Sequence, residues 1–246
     1  MKPPTVAVLI ALLLVDSLHF IFARALRPYL PPTTAAFLVL LVATVEIGLY
    51  LAVRRQLRFD LLRRHLGFFA ALGFLVGAST AINYTAVRYI DPGTATLLAQ
   101  MSTVFALGFG YFWLHERLRR PEWAGALLCI GGSLVISFQP GDLLRIGALM
   151  VLGSNFMYSL HAAIVKRYGG EIDFVNFFFF RVASTSLFLF VFTAFDGALQ
   201  MPPLPAWPLL IIAGTVDVVI SRMLYYWALR QMRIGILALG LTLAPL

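Results

Sequence analysis

Runs of about twenty apolar residues, separated by short polar breaks, recur along the whole of this 246-residue chain. Such a run matches the ~30 Å hydrocarbon core of a bilayer, which about 20 helical residues cross. Inside that core no water bonds a free backbone amide, so each run is expected to be a helix. The spans read off the runs are roughly 5–23, 34–53, 66–87, 93–114, 122–139, 144–165, 174–195 and 206–229, with a shorter run from 234. The breaks carry turn-forming residues: "RPYLPP" (27–32), "DPG" (91–93), "QPGD" (139–142) and "MPPLPAWP" (201–208). A large soluble core is not the reason for so much apolar sequence. The chain is 61% hydrophobic and 12% charged, whereas soluble domains carry about 45–50% apolar and about 25% charged residues. Lys2 followed by an apolar run resembles a secretory leader, but Asp16 and His19 fall where small cleavage-site residues belong, so a retained span is expected. The expected fold class is an all-α membrane protein, a polytopic helical bundle in contact with the lipid bilayer.

The net charge of +8 does not point to nucleic acid, because of where the cations lie. They gather in short loops such as "RRQLRFDLLRRH" (54–65) and "ERLRRPE" (116–122). Assigning loops alternately to the two sides places thirteen Lys and Arg on the side of the N-terminus and four (Arg24, Arg27, Arg88, Arg145) opposite. By the positive-inside rule the N-terminus is cytoplasmic. Arg181 and Arg222 are left within spans, and the single cysteine, Cys129, has no partner for an internal disulfide.

The triplet Ser17-Leu18-His19 returns as Ser159-Leu160-His161, 142 residues on. At the same offset "YTAVRYIDPGTATLL" (84–98) falls on "YWALRQMRIGILALG" (226–240), pairing Tyr84 with Tyr226, Arg88 with Arg230 and Gly93 with Gly235. Two separate matches at one offset indicate an internal repeat of five spans, residues 1–140 and 141–246. An odd number of spans forces the second copy to cross the membrane upside down, as in the inverted repeats of secondary transporters. Residues 105–139 meet no partner before Leu246, and the 13 residues from 234 are too few to span. The expectation is a piece of a ten-span protein, lacking about 35–50 residues.

The segment "NYTAVRYIDPGTATLLAQMSTVFALGFGYFWLHERLRRPEWAGALLCIGGSLVIS" (83–137) ends its fourth span in Glu116-Arg117-Leu118 and follows it with a Gly-rich fifth. With "YYWALR" (225–230), "LAPL" (243–246) and "FFFFR" (177–181), it resembles the EamA-type ten-helix permeases of the drug/metabolite transporter superfamily. The resemblance implies alternating-access export of small metabolites, amino acids or drug-like compounds across a plasma (inner) membrane, without a cofactor, and leaves a homodimer open. Two alternatives stand beside it: a sugar-phosphate or nucleotide-sugar exchanger, and a non-transporting membrane subunit or inactive truncated product.

Polar groups inside spans are costly and tend to face a bundle interior or a water-filled cavity. Asp16 and His19, three apart, share a helical face, and Tyr158 and His161 hold the equivalent positions in the second copy, with Asn155 one turn earlier. Asn83, Tyr84, Gln100 and Tyr226 complete the candidate binding set for a small-molecule substrate. The competing readings are hydrogen bonds between helices and aromatic residues at the membrane interface. Glu46, Asp217 and Arg222 are expected to pair with other spans, Asp217 and Arg222 being five apart and ill placed for one helical face; Arg181 reads as a helix-packing arginine near the membrane edge, with an anion contact as the alternative, and Glu116 is expected to anchor a cytoplasmic turn. The sequence holds no His-Glu-x-x-His helix, Gly-x-Ser-x-Gly elbow, phosphate-binding loop or cysteine cluster, so no enzyme or metal site is expected.

Overall fold

A computed structural model of the chain describes residues 3–86, 89–90, 92–117 and 146–241, with a few more between 121 and 131. All regular elements among the described residues are helical. They are α1 (Pro3–Leu26), α2 (Pro32–Val53), α3 (Phe59–Arg64), α4 (Leu66–Ala86), α5 (Pro92–Ala99), α6 (Met101–Phe112), α7 (Ile146–Tyr168), α8 (Phe174–Phe195), α9 (Trp207–Ala213), α10 (Ser221–Gln231) and α11 (Ile234–Leu241). Between α9 and α10 the chain stays helical, but residues Gly214–Ile220 are wound as a π-helix. Six stretches are long and apolar enough to cross a bilayer: Val8–Leu26, Pro32–Val53, Leu66–Asn83, Ile146–Tyr168, Phe174–Phe195 and Leu204–Gln231.

The expected fourth span, 93–114, is two helices rather than one. It breaks at Gln100, where the Thr103 N–H reaches the Gln100 carbonyl at 3.0 Å, an i→i+3 bond that tightens the turn. Most of the expected fifth span, 122–139, lies outside the described residues, as do Arg88, Asp91 and Cys129. Two helix starts show their local cause. Proline at the first position of α2 has its φ preset and no N–H to satisfy. Asp173 caps α8 by accepting the Asn176 N–H.

In lipid, helices associate through close packing and interhelical hydrogen bonds rather than by escaping water. The centre of this bundle is α8, which packs against both α2 and α4 and buries its Phe177, Phe178 and Phe180. The approach of α4 to α8 depends on Gly73: a Cβ there would lie 2.8 Å from both the carbonyl carbon and the oxygen of Ser184. Ser184 uses the closeness to donate its hydroxyl to the Phe69 carbonyl at 2.8 Å. On its other side α4 packs against α7, where Ser79 and Ser154 share a buried hydrogen bond of 3.3 Å.

Candidate functional site

Four elements, α6, α7, α10 and α11, line a cavity of about 70 Å³. Helical spacing decides which side chains face it. Ser102 and Ala106 stand one turn apart on α6, Tyr158 and Ala162 one turn apart on α7, and Tyr225 enters from α10. The α11 wall is apolar, with Ile234, Leu237, Ala238 and Leu241 at i, i+3, i+4 and i+7. Ser159 donates to the Ser102 carbonyl at 2.9 Å, fixing α7 against the helix break at Gln100. Ligand pockets for drug-sized molecules hold about 300–1,000 Å³. The cavity in this conformation holds only water-sized groups.

Behind the cavity wall lies a buried polar cluster. His161 is fully buried, with Nδ1 2.9 Å from the Tyr158 carbonyl and Nε2 2.7 Å from the Tyr226 hydroxyl. A carbonyl only accepts, so Nδ1 carries a proton, and in the neutral ring Nε2 accepts the Tyr226 O–H. Tyr226 is itself fully buried, and the Arg181 guanidinium lies 5.1 Å from its ring centroid. Arg181 is only 3% exposed, an expensive cation for a membrane interior whose charge the ring face helps to stabilise.

A second polar group ties α1 to α10. Asp16 Oδ1 lies 3.2 Å from an Arg222 nitrogen and accepts the Ser221 hydroxyl at 3.1 Å. Asp217 also acts electrostatically on Arg222 from within the π-helical turn. Arg222 thus pairs with another span, as its spacing from Asp217 led one to expect. Single π-turns inside helices often mark functional sites. Glu46 on α2 accepts the Thr215 hydroxyl at 2.8 Å, so its carboxylate also has a partner on a neighbouring span.

Among the residues singled out from sequence, Tyr158 lines the cavity, and His161 and Tyr226 are bonded to each other just behind it. Asp16 is held by Arg222 and Ser221. Asn155 is buried one turn before Tyr158, its Nδ2 having no hydrogen-bond partner among the described residues. Gln100 sits half-buried at the break between α5 and α6, and Asn83 is exposed near the end of α4. His19 and Tyr84 lie on α1 and α4, but their side chains are outside the described residues. Sequence reading passed over Ser102, Ala106 and the α11 wall. Their only signal was small or apolar residues at one-turn spacing, which any packed helix also shows. Among the described residues no group of three His, Cys, Asp or Glu could hold a metal ion.

The architecture is that of a polytopic helical membrane protein with a polar interior. The sequence model of the EamA-like transporter family matches residues 4–138 and 145–246, and the chain belongs to that family, within the drug/metabolite transporter superfamily. The family is one of transporters, not enzymes. Similar curated proteins include an uncharacterized transporter of Clostridium kluyveri, 29% identical over 139 residues, covering 51% of this chain and 44% of that protein. Another is the uncharacterized transporter YdfC of Bacillus subtilis, 28% identical over 170 residues, covering 68% of this chain and 55% of the relative. The chain thus spans about half the length of the curated relatives it matches. A solved crystal structure superposes with a TM-score of 0.75 at 17% identity, covering all of this chain and 85% of its own, and establishes likeness of fold.

Proposed function

We propose that this chain belongs to a secondary transporter that exports small metabolites, amino acids or drug-like compounds by alternating access, without a cofactor. The observation that carries the reading is the small cavity itself, lined by α6 of the proposed first half and by α7, α10 and α11 of the second. The halves, 1–140 and 141–246, are inverted copies. Several observations support the inversion. Pro32 and Phe174, Val53 and Phe195, Pro92 and Ile234, and Ala99 and Leu241 are matching helix ends, each pair 142 residues apart. Thr34, at the start of α2, donates to the Ala198 carbonyl beyond α8 at 2.5 Å, while Asn176, at the start of α8, donates to the Gln56 carbonyl beyond α2 at 3.0 Å. The two bonds interchange under that same offset, as a two-fold axis in the membrane plane requires.

The N-terminus and the Arg-rich ends of α2, α6, α7 and α10 face the cytoplasm of a cell bounded by its plasma (inner) membrane. Exchange of sugar phosphates is the weaker reading. Of the two cations within the spans, Arg222 is paired with Asp16 and Arg181 lies against Tyr226.

Mass spectrometry of spent medium tests the proposal. Cells expressing the protein are compared with cells expressing Ala106→Leu, which fills the cavity from α6 without touching a polar group. Solutes should accumulate in the medium only with the parent. Identical media at equal membrane abundance would overturn export.

A further inference from the structure

One carboxylate lies beyond the cavity lining on its Arg-rich side. Glu116 turns back after α6, its N–H donating to the Gly110 carbonyl at 2.8 Å, and its Oε1 accepts the N–H of Ile234 at 3.3 Å. The same oxygen pairs with Lys166 Nζ at 3.5 Å, with side-chain exposures of 19% for Lys166 and 11% for Glu116. The Lys166 ammonium also donates to the carbonyls of Leu229 and Met232, at the end of α10. This ion pair therefore joins α6, α7, α10 and α11, the four elements that line the cavity.

Its depth is fixed by helical spacing. Gly110 stands one turn beyond Ala106, Lys166 one turn beyond Ala162 and Leu229 one turn beyond Tyr225, and those three earlier residues are cavity walls. Ile234 is both a wall residue and a donor to Glu116. The pair is the next layer under the cavity. Around it, Arg167 donates to the Trp113 carbonyl at 3.0 Å and Arg233 to the Arg117 carbonyl, further contacts between the same two halves.

We propose that Glu116 and Lys166 form the latch of the gate on this face, holding the cavity shut to that side until the pair separates. The proposal rests on the alternating-access reading above. An ion pair suits a reversible closure, because on separation both ions regain water, which offsets much of the lost attraction. A packed apolar plug has no such compensation.

The test reads conformation and needs no cargo. In a Cys129→Ser background, Ala106→Cys places a thiol in the cavity wall. A membrane-impermeant maleimide is then applied to the Arg-rich face in vesicles of known orientation. Glu116→Gln removes the charge while keeping an acceptor for the Ile234 N–H; Lys166→Met removes the opposite charge. Both should raise the labelling rate from that face about fivefold or more, as a minor open state becomes a major one. Lys166→Arg should label like the parent. Parental rates in both charge-removing variants, or a rise only from the opposite face, would overturn the latch. If one variant does not reach the membrane, the other decides. Should the protein export nothing, labelling still reports the latch; should export be normal with labelling unchanged, the latch alone falls.

Discussion

The hydrogen bond between Tyr226 and His161 is the residue-scale feature with the clearest energetic consequence. Tyr226→Phe keeps the ring against Phe177, Phe178 and Arg181 but removes the hydroxyl bonded to His161 Nε2. A buried acceptor left unmade costs about 1–3 kcal/mol. Detergent-purified Tyr226→Phe should therefore melt several degrees below the parent, and an unchanged melting temperature would show that the bond contributes nothing. Asp173, at the other extreme of exposure, caps α8. Bonds from the Asn176 side chain and N–H hold its carboxyl below the ordinary 3.8. The group binds its proton less readily folded than unfolded. Its contribution is therefore complete above about pH 4 and is lost as pH falls through the lowered folded value. Asp173→Ala should cost about 0.5–2 kcal/mol at neutral pH, and the gap in melting temperature should narrow on strong acidification. These polar partners explain how far the site was legible. The duplicated Ser-Leu-His triplets marked His161 as special, and the cost of burying polar groups singled out Asp16. Neither pattern tells a cavity wall from a bond one layer behind it, because that depends on which way each helix is rotated.

At the scale of the element, the span positions were legible because hydrocarbon thickness fixes helix length, and α2 and α8 fall within two residues of expectation. Two features were not. The break at Gln100 and the π-helical turn at Gly214–Ile220 alter winding without altering apolar composition, so no periodicity announces them. At Gly73 the structure shows what a small residue makes room for. Gly73→Ala would drive a methyl into the backbone of Ser184, which cannot turn aside as a side chain can. Overpacking of this kind costs about 1–3 kcal/mol. Gly153→Ala on α7 meets nothing within 4 Å. It should leave stability within about 0.5 kcal/mol of the parent. Thermal melts of the two variants side by side separate steric closeness from helix propensity. Equal losses would mean that α4 and α8 tolerate separation.

For the whole molecule, the proposed inverted repeat makes a demand that no single helix makes. If each copy has five spans and the second begins where the first ended, positions 142 residues apart lie on opposite sides of the membrane. Arg58 and Gln200 are such a pair, and both are exposed, Arg58 after α2 and Gln200 after α8. A parallel duplication of the same helices would put them on one side. The charge asymmetry adds the direction: Arg58 belongs to the Arg-rich face, which the positive-inside rule assigns to the cytoplasm. In a Cys129→Ser background, Gln200→Cys should react with an impermeant maleimide in intact cells, whereas Arg58→Cys should react only after the membrane is opened. Reaction of both in intact cells would dismiss the inverted halves. The reverse pattern would keep the inversion and turn the molecule over, placing the Glu116–Lys166 closure on the outer face. The cavity would then be sealed from outside in this conformation, and cargo bound for export would enter it on the side away from the latch.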